Sequence, residues 1–529
     1  MLPFDWSFPY PSQKMPLLAA NAVSTSQPLA AQAGLRMLYE GGNAIDSAIA
    51  TAIALTVVEP VMNGIGGDMF TLVWHEGQLY GLNSSGRAPA AWTPEYFAGR
   101  DRMPSVGWDT VTVPGQVAGW KALSARFGKL PFARLFVPAI EYAEQGFMVS
   151  PQIARQWAAQ VPVLRDQPGF AKAFLRDGRA PQAGERWRFP EQAATLRKIA
   201  ESDGESFYRG ELAERIVAFA QETGGALRAG DLAAHQPAWV EPMKRDFRGY
   251  TLHEIPPNGQ GIAALIGLGI LDRFDLEGMG VDSADFYHVG IEAMKLAFAD
   301  LHRHVSDPAT MQHAPASFLD PAYLAERAAL IDLKRAGSPS AGMPKIGGTV
   351  YLTAADAAGS MVSFIQSNYR GFGSGVVVPG TGISLHNRGE GFNLKPGHAN
   401  CVAPGKQPMH TIIPGFVTRN GAPVMSFGVM GGSMQAQGHV QMMARLAAFG
   451  QNPQAMSDAP RFRVEHGPVV NVESHLPADV VAALRERGHR VEVAPHDSLE
   501  FGSAQLIYKA EHGYIAASDS RRDGQAVGF

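Results

Sequence analysis

Gly347-Gly348-Thr349-Val350-Tyr351-Leu352-Thr353, followed by Phe364-Ile365-Gln366-Ser367-Asn368-Tyr369, reads as a strand and a return strand about a tight turn at Asp356-Ala357-Ala358-Gly359. Pairing about that turn brings Ser367 close to Thr349. A threonine preceded by small, flexible glycines, with a second hydroxyl beside it, suits one chemistry. The Thr349 hydroxyl can attack the Gly348 carbonyl, cut the chain and leave Thr349 as a new N-terminus. Its own α-amine then serves as the base for its side chain. An α-amine with an ordinary pKa of roughly 7.7–8.0 suits that task at neutral pH.

The chain around this hairpin has 529 residues, enough for a large core and more than one structural lobe. Hydrophobic residues at 46% and charged residues at 18% give an ordinary globular balance, neither disordered nor membrane-embedded. A formal net charge of -4 without a basic block argues against a nucleic-acid partner. The single cysteine, Cys401, rules out an intramolecular disulfide and reads as a small buried filler rather than a nucleophile. Met1-Leu2-Pro3-Phe4-Asp5-Trp6 has no basic n-region, and the apolar run Ala48–Val58 is too short to span a bilayer. A cytoplasmic protein is the expectation, or a periplasmic one if a leader has been trimmed.

Before the hairpin the pattern is mainly helical. Helices are expected at Pro28–Glu40 and Ala44–Val58, separated by Gly41-Gly42-Asn43, over much of 114–234, and at Gly261–Leu271 and Ser283–Leu301. A strand hairpin is expected at Met69–Trp74 and Gln78–Asn83, a strand at Phe247–Ile255, and a polar, mobile surface segment at 332–347. After Thr349 strands dominate, at 349–356, 361–368, 411–418, 423–428, 490–494, 504–509 and 513–517. Helices fall at about 433–448 and 477–487. The fold class that follows is α+β and layered.

Common catalytic motifs are absent: no Gly-x-Ser-x-Gly elbow, no phosphate-binding loop, no His-Glu-x-x-His. His302 and His304 lack companions for a metal site, so no metal or organic cofactor is expected. Four glycine-rich elements remain, at Asn63–Asp68, Pro114–Gly119, Gly371–Gly375 and Gly431-Gly432-Ser433. Each reads as a tight turn or as exposed backbone N–H groups. Gly431-Gly432, at a strand-to-helix junction, best suits stabilising an oxyanion.

Taken in order, Gly41–Asp46, Asn63–Asp68, Pro114–Gly119, Pro256-Pro257-Asn258, Ile291–Lys295, Gly348-Thr349, Gly431-Gly432, Asp458–Phe462 and Ser518–Gly524 resemble the γ-glutamyltransferase family of N-terminal-nucleophile hydrolases. The resemblance spans nearly the whole chain. It implies a four-layer αββα sandwich, cleaved before the nucleophile into a large subunit (1–348) and a small subunit (349–529) of one intertwined fold. By position, Thr349 is then the nucleophile, Ser367 the hydroxyl beside it, and Gly431 and Gly432 the oxyanion donors. The expected partners are a small-molecule amide and the two subunits for each other, with a homodimer of processed pairs left open.

The substrate clamp departs from the family. The family's carboxylate-binding arginine falls at Ser85, with Arg87 two residues on. The segment that holds the substrate's α-amine reads His386-Asn387-Arg388-Gly389-Glu390-Gly391, with Arg388 and Gly391 in place of a glutamine and an aspartate. The paired serines are His410-Thr411. An ammonium beside Arg388 would be repelled. This pattern resembles the acylase-like branch, which includes cephalosporin (glutaryl) acylase-like proteins and oxamate amidohydrolase. Arg388, with Arg87 or His410 and alongside Asn387 and Thr411, would take a carboxylate on an acyl group lacking the amine. Three other readings stand: γ-glutamyl hydrolysis or transfer, as on glutathione, which the family resemblance implies by default; Arg388 as a surface salt-bridge residue; and the whole chain as an uncleaved, non-catalytic binding protein.

Overall fold

The computed structural model describes residues 10, 14–338, 348–465, 468–495 and 498–529. Two seven-stranded sheets form its centre. From edge to edge, the first runs Gln525–Gly528, Ala22–Thr25, Gly348–Ala355, Met361–Tyr369, Asp68–His75, Gln78–Ser84 and Ala238–Val240. The second runs Leu17–Ala19, Gly513–Ser518, Ser503–Ala510, Ala422–Met430, Gly415–Arg419, Tyr250–Glu254 and Met243–Phe247. Both sheets therefore interleave strands from before and after Thr349.

The sheets face each other through the Gly348–Ala355 strand, which packs on Ala422–Met430 and Ser503–Ala510. Hydroxyls stitch this contact: Thr353 Oγ1 pairs with Ser426 Oγ at 2.6 Å, and Ser363 Oγ, itself paired with Tyr351 Oη at 2.7 Å within the first sheet, donates to Phe427 O at 3.3 Å. Helices Pro28–Tyr39 and Ala44–Val58 cover the first sheet, Gly261–Leu271 and Met434–Ala447 cover the second, and Ala284–His304 packs on Gly261–Leu271. This is the αββα sandwich.

The helix Ala44–Val58 is buried along its whole length, as its small and β-branched residues suggest. Asn43 opens it with a capping box: its Oδ1 accepts from Ile45 N and Asp46 N, and Asp46 Oδ2 accepts from Asn43 N, each at 3.0 Å. Among the described residues no helix is long and apolar enough to cross a membrane.

Several expected boundaries shift. The strand expected at 411–418 spans only Gly415–Arg419, because the backbone before it is bound elsewhere: Ile413 N donates to Gln435 Oε1 and Thr411 O accepts from Gln260 Nε2. The strand expected at 247–255 is two strands broken by a turn at Arg248-Gly249, with φ of 49° and 80°. Phe462–Val464 and Val469–Val472 join Arg490–Val493 in a small separate sheet that sequence reasoning missed. The expected loop 332–347 lies outside the described residues from 339 onward. Cys401 is half-buried rather than buried.

Candidate active site

The hairpin register runs regularly from Ala355↔Met361 to Val350↔Gln366, which sets Thr349 against Ser367; the next pair is Gly348↔Tyr369. The extra residue on the return strand is a β-bulge at the site itself. Thr349 Oγ1 donates to Ser367 Oγ at 3.2 Å, and Ser367 Oγ also accepts from Tyr369 N at 2.7 Å. Tyr369 is held at φ 76°, a strained conformation for a bulky residue, immediately beside the hydroxyl pair. Thr349 and Ser367 are fully buried in the intact chain.

Gln435, in the first turn of the helix Met434–Ala447, donates from Nε2 to Thr349 Oγ1 at 3.4 Å. The turn into that helix is Gly431-Gly432, with φ of 124° and 62°. Met434 N and Gln435 N bond the carbonyls of Gly431 and Gly432, so the free amides of this turn project from the helix N-terminus. Gln260 Nε2 bonds both Gly432 O, at 2.8 Å, and Thr411 O. One network therefore joins Thr349, the glycine turn and the Thr411 segment.

Arg388 ends this network. It is 1% exposed, which excludes the surface salt-bridge reading. Its Nη1 donates to Thr411 Oγ1 at 2.8 Å and its guanidinium lies 4.4 Å from the Tyr369 ring centroid. Its Nε and Nη2 are buried without a hydrogen-bond partner. Burial takes its pKa down to about 10 against the pull of Asp68, so it stays cationic at neutral pH.

Asp68 is a functional candidate that sequence reasoning passed over as the end of a glycine-rich element. The signal available was a charged residue opening an apolar strand. Its Oδ1 accepts from Gly86 N at 3.1 Å and Gly115 N at 3.0 Å, and its Oδ2 lies 3.1 Å from His410 Nε2 and 3.4 Å from His386 Nδ1. Burial opposes its charge, yet the His386 and His410 rings and the Arg388 cation hold its carboxyl below the usual range. Burial and Arg388 push His410 down to about 3, so the ring is neutral and donates to the carboxylate. Gly67, three residues before Phe70, is not a turn: a Cβ there would meet Ser367 O at 2.7 Å, so it allows close approach behind the hairpin.

The predicted substrate residues divide. Arg388, His410 and Thr411 come together. Asn387 sits behind them, its Nδ2 donating to Ser105 O at 2.8 Å and its Oδ1 accepting from Arg370 N at 3.0 Å. Arg87 is not brought to this site. It is half exposed, pairs with Asp307 at 2.9 Å and faces a different cavity. Gly391 carries no carboxylate, but the neighbouring Glu390 walls the cleft; Arg370 grips it, one of the two contacts measuring 2.9 Å.

Among the described residues, His288, Glu292 and His489 bring three potential metal-ligand atoms within 4.8 Å of one another. Lys295 Nζ lies 2.7 Å from Glu292 Oε1 and 3.3 Å from His489 Nδ1, and the two histidines contact at 2.7 Å. An ammonium inside the cluster makes it a hydrogen-bonded network rather than a cation site.

A family model described as Gamma-glutamyltranspeptidase matches residues 30–529. The chain belongs to the γ-glutamyltranspeptidase family. It is 37% identical over 512 residues to the glutathione hydrolase-like YwrD proenzyme of Bacillus subtilis, covering 95% of this chain and 97% of that protein. It is 38% identical over 516 residues to the oxamate amidohydrolase proenzyme of Klebsiella pneumoniae, covering 95% and 97%. A crystal structure of cephalosporin acylase from Bacillus halodurans superposes with a TM-score of 0.94 at 49% identity, covering 99% of each chain. This family member is thus an amide hydrolase of the N-terminal-nucleophile type, and its sandwich is the fold of that class.

Proposed function

We propose that this family member is a self-cleaving N-terminal-threonine amidohydrolase acting on an amide whose acyl group carries a carboxylate. One observation carries the substrate reading: Arg388 is a buried cation with two unpartnered nitrogens, and it is linked through Thr411 and Gln260 to the Gly431-Gly432 turn. A buried guanidinium left unpaired costs several kcal/mol, and a carboxylate matches its fork. Oxamate is itself an amide of a carboxylated acyl group, and the relative that acts on it is named as a proenzyme.

In the intact chain the Thr349 nitrogen is a peptide nitrogen. Attack of Oγ on the Gly348 carbonyl and transfer of the acyl group from nitrogen to oxygen give an ester. That shift breaks the Gly348–Thr349 C–N bond and frees the α-amine, and water then splits the ester into the Gly348 carboxylate and the Thr349 hydroxyl. The amine then takes the Oγ proton as Thr349 attacks the substrate carbonyl, and Gly431 and Gly432 N–H groups receive the developing oxyanion. The amine half leaves with that proton, and water resolves the acyl-enzyme. A γ-glutamyl substrate brings an ammonium toward Arg388, and the wall carboxylate Glu390 is already gripped by Arg370.

On a denaturing gel the wild type is expected to give two bands and Thr349→Ala one band near 56.7 kDa. A single band from both would refute self-cleavage. Turnover of a glutaryl amide, oxamate and γ-glutamyl-p-nitroanilide tests the pocket. Arg388→Ala is expected to lower kcat/KM for the first two by about 10- to 100-fold, the loss of a charged hydrogen bond. Strong γ-glutamyl turnover that survives Arg388→Ala would overturn the substrate reading.

A further inference from the structure

The cleft has two lobes. The smaller, about 300 Å³, is walled by Tyr369, Thr411 and Ser433, on the Arg388 side. The larger, about 790 Å³, has Gly431 and Arg370 in its wall. Both reach Arg102, Met103 and Glu390. With the scissile carbonyl at Thr349 and its acyl tail toward Arg388, the departing amine must occupy the larger lobe.

That lobe also holds Gln156 and Arg522. Gln156 is 6% exposed, and neither its Nε2 nor its Oε1 has a hydrogen-bond partner. Arg522 is 8% exposed, with Nε and Nη1 unpartnered. The carboxylates that act on Arg522 are engaged by others: Glu59 accepts from Ser26 Oγ, Asp519 pairs with Arg461 and Arg521, and Asp523 accepts from Ser150 Oγ. Arg370, a half-buried cation of this lobe, is taken by Glu390. Buried polar groups in native folds are almost always satisfied, so an amide and a guanidinium left open on one cavity wall are a recognition surface.

We propose that Arg522 and Gln156 form an amine-side subsite that recognises a carboxylate on the leaving amine, so that the substrate is acidic on both sides of its amide. The assignment of this lobe to the amine rests on the acyl-transfer reading above. Arg522 contributes the charge and Gln156 Nε2 a second donor to the same anion. Neither residue touches the reacting atoms; they position the departing half.

Equilibrium binding of two amines to the purified protein tests this without turnover. 4-Aminobenzoate is expected to bind at least 10-fold tighter than 4-aminobenzamide. Arg522→Gln should reduce that ratio to near one, and Arg522→Lys should restore part of it. Equal binding of the two amines by the wild type, or no measurable binding of either, overturns the proposal. Should Arg522→Gln fail to fold by circular dichroism, Gln156→Leu carries the same comparison, and an unchanged ratio there counts against the subsite. A kinetic arm compares anilides of one acyl group with and without a ring carboxylate. Cleavage of both at equal kcat/KM sinks the subsite and leaves the proposed function standing. Failure to cleave either counts against the acyl-transfer reading, and the binding ratio then decides the subsite.

Discussion

Asp68 and Arg388 show how single charges shape this site. The carboxylate is bound by two backbone N–H groups and a neutral imidazole, and it faces a cation it does not neutralise by direct contact. Asp68→Asn keeps the shape but presents one acceptor oxygen where the carboxylate presents two. Either the Gly86 and Gly115 amides or His410 loses its partner. Urea denaturation is expected to report a loss of about 1–3 kcal/mol. A variant as stable as wild type would mean that the carboxylate does not organise the pocket. Arg388 itself was legible as an odd residue, but not its burial: a one-dimensional pattern around His386–Gly391 carries no period from which to read which way the side chain points.

The hairpin and the glycine turn are the elements that make the chemistry local. Regular pairing delivers Thr349 to Ser367, and the bulge that follows brings Tyr369 into the left-handed region beside Arg388. The turn into the helix Met434–Ala447 is equally particular. A Cβ on Gly431 would lie 3.0 Å from Gly502 Cα, and its φ of 124° disfavours any side chain. Gly431→Ala is therefore expected to rotate the proposed oxyanion donors and lower kcat by about 100- to 1000-fold, the usual cost of one such donor. Retained turnover with an intact far-UV spectrum would remove Gly431 from that role.

Across the whole molecule, each of the two central sheets contains strands from both sides of Thr349. A cut at Gly348-Thr349 breaks one peptide bond and none of the pairings between Gly348–Ala355 and its neighbours Ala22–Thr25 and Met361–Tyr369. The two fragments are expected to co-elute in size exclusion and to separate only in denaturant. Fragments that part under native conditions would contradict the interleaving. Stability should also depend on pH through Glu59, which burial raises from 4.5 to about 7. The folded chain binds this proton more tightly than the unfolded chain. The contribution is therefore full below about pH 4.5 and lost as pH rises through 7, a swing of roughly 3 kcal/mol at most. Glu59→Gln should flatten that part of the stability profile. An unchanged slope in chemical denaturation between pH 5 and 8 would place the charge effect elsewhere.

Local pattern alone reached the hairpin, the helix Ala44–Val58 after the Gly41-Gly42-Asn43 break, the strand-to-helix turn at Gly431-Gly432 and the pairing of Thr349 with Ser367. Each depends on contacts within one element or between neighbours in the chain, where periodicity and turn chemistry act. The resemblance in motif order supplied the sandwich. What lay beyond both was long-range: Asp68 meeting His410, Arg87 turned away to Asp307, and Gln435 and Gln260 wiring Thr349 to Thr411. Those contacts join residues that are far apart along the chain, and a side chain's partner across two packed sheets is set by the register and depth of the whole core. Sequence therefore sufficed for how Thr349 is presented. That Arg388 is buried with open donors awaited the fold, because which charges the packed sheets leave unpaired depends on the depth and register of the whole core.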